Sequence, residues 1–162
     1  MTRKHILAAL VTAAALTVAA PAFAVDEYNV SNGITLTGNP LGMHGFDPVS
    51  MFKSEAPGLG DAVHTSAHNG IDYYFATAAT KEQFDANPEA FLPQFGGFCA
   101  FGTAMGYKFD GDPHVWKIVD DKLYLNLSKA VSKRWNEDVP GYIKTANEKW
   151  QTIADKAPSD LQ

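Results

Sequence analysis

Asn69-Gly70 stands between two short runs, residues 63–66 and 71–76. A two-residue hairpin turn needs positive φ at both central positions, and Asn and Gly tolerate it at little cost. The pair therefore commits this stretch to two antiparallel strands and excludes a helix through residues 63–76. A second pair of apolar runs, residues 115–119 and 122–127, flanks Asp120-Asp121 and reads as another hairpin, with Leu123, Leu125 and Leu127 on one face.

Helical signals lie outside these hairpins. Asp47-Pro48 offers an acceptor and then a proline for a first helical turn leading into Val49, Met51 and Phe52. Thr80 followed three residues later by Gln83 resembles a capping box opening a short helix through Phe84. Residues 100–105 are expected to be helical and to end at Gly106, and Ser128 is placed to cap a helix running to Trp135. After Pro140-Gly141, the residues Ile143, Ala146, Asn147, Trp150 and Ile153 repeat at three- and four-residue spacings, the mark of an amphipathic helix. Hairpins in one place and helices in another define an α+β class, with the two hairpins packed against short helices and a C-terminal amphipathic helix. With 162 residues, 46% of them apolar, the chain suits one domain.

The first 24 residues read differently. Arg3, Lys4 and His5 precede an apolar stretch over residues 6–20, and Ala22-Phe23-Ala24 has the small-x-small pattern of a cleavage site. That is a secretory signal peptide, cut after Ala24; the run is shorter than the ~20 residues a membrane span needs. Export to a periplasmic or extracellular space is expected, with no transmembrane segment in the mature chain. Residues 25–42 form an extended lead-in, 43–155 the domain and 156–162 a polar tail. Losing Arg3 and Lys4 and no acid takes the net charge from −5 to −7, which argues against a nucleic-acid partner. Asn126-Leu127-Ser128 matches a glycosylation sequon, of consequence only in a eukaryotic secretory pathway.

Six ordered blocks resemble the exported, stand-alone branch of the YHS domain family. They are Gly45-Phe46-Asp47-Pro48-Val49, the hairpin ending in Tyr73-Tyr74-Phe75, Phe84 with Asn87-Pro88, residues 93–100 around Gly96-Gly97-Phe98-Cys99, Asp112-Pro113 with Trp116, and Lys122-Leu123-Tyr124-Leu125-Asn126. The resemblance implies a small α+β domain associated with metal handling, because related modules occur beside copper-transporting ATPases and in some hydroxylases. It implies no catalytic activity. Metal-binding relatives place a cysteine and a serine where this chain has Ala76 and Thr77, and Tyr74 stands at the family's histidine. A thiolate metal cluster does not carry over.

The single cysteine, Cys99, excludes an intramolecular disulfide and any CxxC pair. The donors left for a metal are Cys99, His44, His114 and Met105 first, with His64, His68, Met43 and Met51 behind them. Two or three of these converging would suit Cu(I), so copper is the leading cofactor expectation. A second reading is a binding module for a small apolar ligand or a protein partner, with Phe95, Gly96, Gly97, Phe98 and Phe101 lining a cleft; Phe91, Tyr107 and Phe109 are its neighbours and Cys99 its base. A third is a cysteine-dependent enzyme, which needs a thiol activated by a helix end or a histidine; apolar surroundings from Phe98 and Phe101 act against that. The ordering is binding or accessory protein first, enzyme last.

Overall fold

Both hairpins form as their turn residues require. The computed structural model describes residues 25–161, so the leader read at residues 1–24 and its cleavage after Ala24 lie outside it. Strands β3 (Asp61–His68) and β4 (Ile71–Phe75) pair antiparallel and turn on Asn69 and Gly70, with φ of 50° and 76°. Strands β5 (Asp112–Val119) and β6 (Lys122–Asn126) pair the same way through Asp120 and Asp121, at φ 49° and 57°. Two short strands, β1 (Phe46–Asp47) and β2 (Gly58–Leu59), make a third antiparallel pair. Helices α1 (Ala78–Ala86), α2 (Ala100–Ala104), α3 (Lys129–Trp135) and α4 (Val139–Ile153) complete a small single α+β domain. Among the described residues no helix is long and apolar enough to cross a membrane.

Three helix starts differ from the sequence expectation. The capping box of α1 joins Thr77 to Thr80, not Thr80 to Gln83: the Thr77 hydroxyl accepts from the Thr80 amide while the Thr80 hydroxyl accepts from the Thr77 amide. Asp47-Pro48 opens only a 3-10 turn (Ser50–Phe52). There the buried Asp47 carboxylate accepts from the Val49 and Ser50 amides at 2.8 and 3.2 Å and, through its other oxygen, from Ala76 N at 3.0 Å. It thus ties the end of β4 to this turn. Helix α4 begins before Pro140, capped by Asp138 accepting from the Gly141 amide, so the proline occupies the first turn where its missing N–H is harmless.

Strand β6 separates two apolar cores. Leu123 and Leu125 join Ile71, Tyr73, Phe75, Val49, Met51 and Phe84 in one; Tyr124 joins Phe95, Ala100, Ala104, Trp135 and Ala146 in the other. The period-2 alternation of a strand produces this division. Full burial of each large side chain contributes roughly 1.5–3 kcal/mol. Leu127 falls beyond β6 and is 42% exposed, so the Leu face ends at Leu125. Asn126 is buried, and its Oδ1 accepts from the Phe101 amide at 3.3 Å, so the sequon asparagine is occupied inside the fold.

Polar clasps fasten the lead-in. Asp72 points away from the β4 core face and is fully buried; its carboxylate accepts from Thr35 and Thr37 hydroxyls, both at 2.5 Å, and from Asn39 Nδ2 at 3.0 Å. Burial raises its pKa, but the donors Asn39, Thr35 and Thr37 outweigh burial and hold it below the usual carboxylate value. At the other end of the segment, Asn29 N donates to Gly96 O at 2.9 Å. Gly96 sits at φ 60°, and a Cβ there would lie 1.9 Å from the Glu27 carbonyl oxygen, so only glycine admits this crossing. Lys108 closes the arrangement. It is 4% exposed, and its Nζ donates to the carbonyls of Asp26, Ala154 and Lys156 at 2.8, 2.7 and 2.7 Å while lying 5.2 and 5.1 Å from the rings of Phe98 and Trp150.

Candidate functional site

Cys99 sits where the Gly96-Gly97 turn meets α2. Its amide donates to Phe109 O at 2.9 Å, and its backbone bridges Leu125 of β6. The side chain takes the N-cap place of α2: Sγ accepts from the Gly102 amide at 3.3 Å, and the thiol donates to Asn126 Oδ1 at 3.7 Å. The residue is fully buried. Burial pushes its pKa up, although the amides of Gly102, Leu127 and Phe101 work the other way. A buried thiol kept protonated, with neither histidine nor carboxylate as partner among the described residues, is a poor nucleophile.

A cavity of about 200 Å³ opens above this thiol. Its walls are Phe101, Gly102, Met105, Tyr107, Phe109, Leu127 and Val131, and they expose no polar surface to it. Local structure explains the placing. The α2 turn ends at Met105 with Gly106 at φ 88°, which returns the chain so that Tyr107 and Phe109 stack, centroids 5.4 Å apart, over the helix that holds Cys99. Gly102 lets Phe109 approach, since a Cβ there would lie 2.9 Å from its ring. Met105, Tyr107, Phe109 and Leu127 remain exposed by 39–46% and form an apolar rim.

The residues read from sequence as a cleft are divided between two places. Phe101 lines the cavity and meets Tyr142 edge-on at 5.0 Å. Phe95, Gly97 and Phe98 are buried on the other side, where Phe95 and Phe98 face Trp150 at 5.8 and 6.3 Å. Gly96 belongs to the crossing with Glu27. Of the metal-donor set, Cys99 and Met105 share the cavity. His44 and His114 are not among its lining residues: His44 Nε2 lies 2.7 Å from Asp110 Oδ1, and His114 Nδ1 lies 3.1 Å from Asp112 Oδ1. Among the described residues no three His, Cys, Asp or Glu side chains are grouped to hold a metal ion. Leu127 and Val131 were not read as walls. The signal available was the Asn126-Leu127-Ser128 break, where the strand stops and the next leucine loses its place on the Leu face.

Comparison adds no relative: no protein-family model, curated protein or solved structure matches this chain.

Proposed function

We propose that the chain is an exported, YHS-like, non-enzymatic binding domain whose site is the cavity over Cys99, and that it takes a small apolar ligand about the size of one aromatic ring. One observation carries the reading: the cavity is walled wholly by apolar surface yet open at a rim of four exposed apolar side chains. An apolar cavity of ~150 Å³ is enough to hold benzene, so about 200 Å³ accommodates a substituted ring. Cys99 serves as floor. Its raised pKa and its neutral partners suit packing against the ligand better than attack on it.

The test is titration with toluene, followed by amide chemical shifts. Saturable shifts at Phe101, Gly102 and Leu127 are expected in the native protein, and none in Val131→Phe, which fills the space, or in Leu127→Trp, which covers the mouth. Absence of saturation, or equal binding by both filled variants, refutes the assignment.

A second reading rests on the sharing of one cavity by Cys99 and Met105. A thiolate and a thioether together suit Cu(I) at low coordination; they do not fit zinc, which needs four ligands. Burial of the thiol makes the proton that copper must displace harder to remove, which ranks this reading second.

A further inference from the structure

A second cavity, of about 210 Å³, lies on the opposite side of the Gly96-Gly97 turn, between the lead-in and α4. Its composition differs from that of the first. Tyr28, Tyr73, Phe95 and Trp150 supply four aromatic walls, and Glu27 and Glu89 supply two carboxylates. The remaining lining is neutral, with no lysine, arginine or histidine in it. Aromatic faces carry negative potential, and a carboxylate beside them adds to it, so this combination favours a cation that is not strongly hydrated.

Tyr73 is the observation that makes this more than a patch of acidic surface. It is 3% exposed, with its ring held against Phe84 at 5.3 Å and against the Gly42 backbone. Its hydroxyl has no hydrogen-bond partner among the described residues, yet it is not sealed in the core as the unpartnered Trp135 Nε1 is, so it is open to the cavity that Tyr73 lines. Tyr73 lines the cavity together with Tyr28 and Glu89; burial first, and then those two residues, push its pKa up. The Tyr28 hydroxyl, by contrast, already accepts from Asn69 Nδ2 at 3.1 Å. Glu89 is 2.9 Å from His68 Nε2, outside the lining, and Lys108 Nζ lies over Trp150 at 5.1 Å but is likewise no part of the wall. Glu27 has no side-chain partner among the described residues.

We infer that this second cavity binds a small primary alkylammonium ion, its N–H groups donating to Tyr73 Oη and the Glu27 and Glu89 carboxylates and its alkyl part lying against Trp150 and Phe95. A neutral molecule of the same shape forgoes the charge attraction of the two carboxylates, and an anion is repelled by them.

The probe is n-butylammonium chloride, titrated into the full chain and followed by the Trp150 indole N–H and the Asn69 and Asn147 side-chain amides. Saturable shifts with a Kd on the order of 1 mM are expected, a strength in keeping with so small a ligand. Tyr73→Phe retains the ring and is expected to weaken binding about 5-fold, as is Glu27→Gln; Glu82→Gln, on exposed α1 surface, leaves it unchanged. Thermal melts of the variants show whether each is folded, and the two wall substitutions are independent reports. The inference is overturned if 1-butanol binds as tightly as the ammonium, if no saturable shift occurs, or if neither wall substitution alters the affinity.

Discussion

Lys108 is the strongest place to test how the lead-in and the end of α4 are held. Methionine at this position keeps most of the stem volume and removes the ammonium. Three carbonyls, of Asp26, Ala154 and Lys156, then lose their donor, and two aromatic rings lose the charge that lies about 5 Å from each. A hydrogen bond from a charged donor contributes roughly 1.5–3 kcal/mol and each cation–π contact ~0.5–2 kcal/mol. Against these stands the desolvation of a buried ammonium, several kcal/mol, which the substitution returns. The expected net loss is about 3 kcal/mol, set by the three carbonyls left without a donor, at roughly 1–3 kcal/mol each, less the desolvation returned. For a domain of this size it lowers Tm by about 10 °C. Differential scanning calorimetry reads the loss, and native-state hydrogen exchange locates it. The Asn29 amide, bonded to Gly96 O, is expected to lose protection before the amides of β6 do. Lys156→Met alters an exposed side chain and serves as control. A Tm for Lys108→Met within about 2 °C of wild type, given the per-kcal scale above, or a loss matched by Lys156→Met, refutes the clasp.

Asp72→Asn leaves the shape of the other clasp and removes its charge. The carboxyl titrates below its ordinary 3.8 in the folded chain, so its stabilisation is complete above that value and is lost as pH falls through the lower folded pKa. Wild type is expected to lose Tm over that acid window while Asp72→Asn, weaker at neutral pH by about 1–3 kcal/mol, loses less; parallel Tm-against-pH curves below 4 refute it. For the copper reading, anaerobic Cu(I) titration of the reduced protein against a competing chelator is expected to show binding that Cys99→Ser abolishes and Met105→Leu weakens. Equal binding by Cys99→Ser removes the thiolate from the site.

Local chemistry made the hairpins legible. Asn69-Gly70 and Asp120-Asp121 decide their own backbone, and the strands on either side need only pair. The α1 cap was misplaced by three residues because the chain holds two overlapping patterns, Thr77 to Thr80 and Thr80 to Gln83, and the one with glutamine looks more like a capping box. Asp47-Pro48 satisfies a helix start and a 3-10 turn equally well; the choice falls to Ala76, whose amide takes the second carboxylate oxygen from 29 residues away. The lead-in hid most. Thr35, Thr37 and Asn39 look like solvent-facing loop residues until Asp72, more than 30 residues on, gathers them. The aromatic crowding around Gly96-Gly97 was visible as composition, but its division was not. Phe95 and Phe98 go to Trp150 and Phe101 goes to Tyr142, and both partners lie on α4, far along the chain.

Strand β6 is a shared member in more than its two buried faces. Pro93, which lines the acidic aromatic cavity, bridges Leu123, and Cys99, which floors the apolar one, bridges Leu125. Both pockets are thus fixed to neighbouring rungs of one strand, two residues apart. Melting of either core strips β6 of half its packing, so the two cores are expected to unfold together. Geometry at β6 thus predicts one cooperative unfolding event, in which a molecule bound in either pocket would raise the stability of both cores.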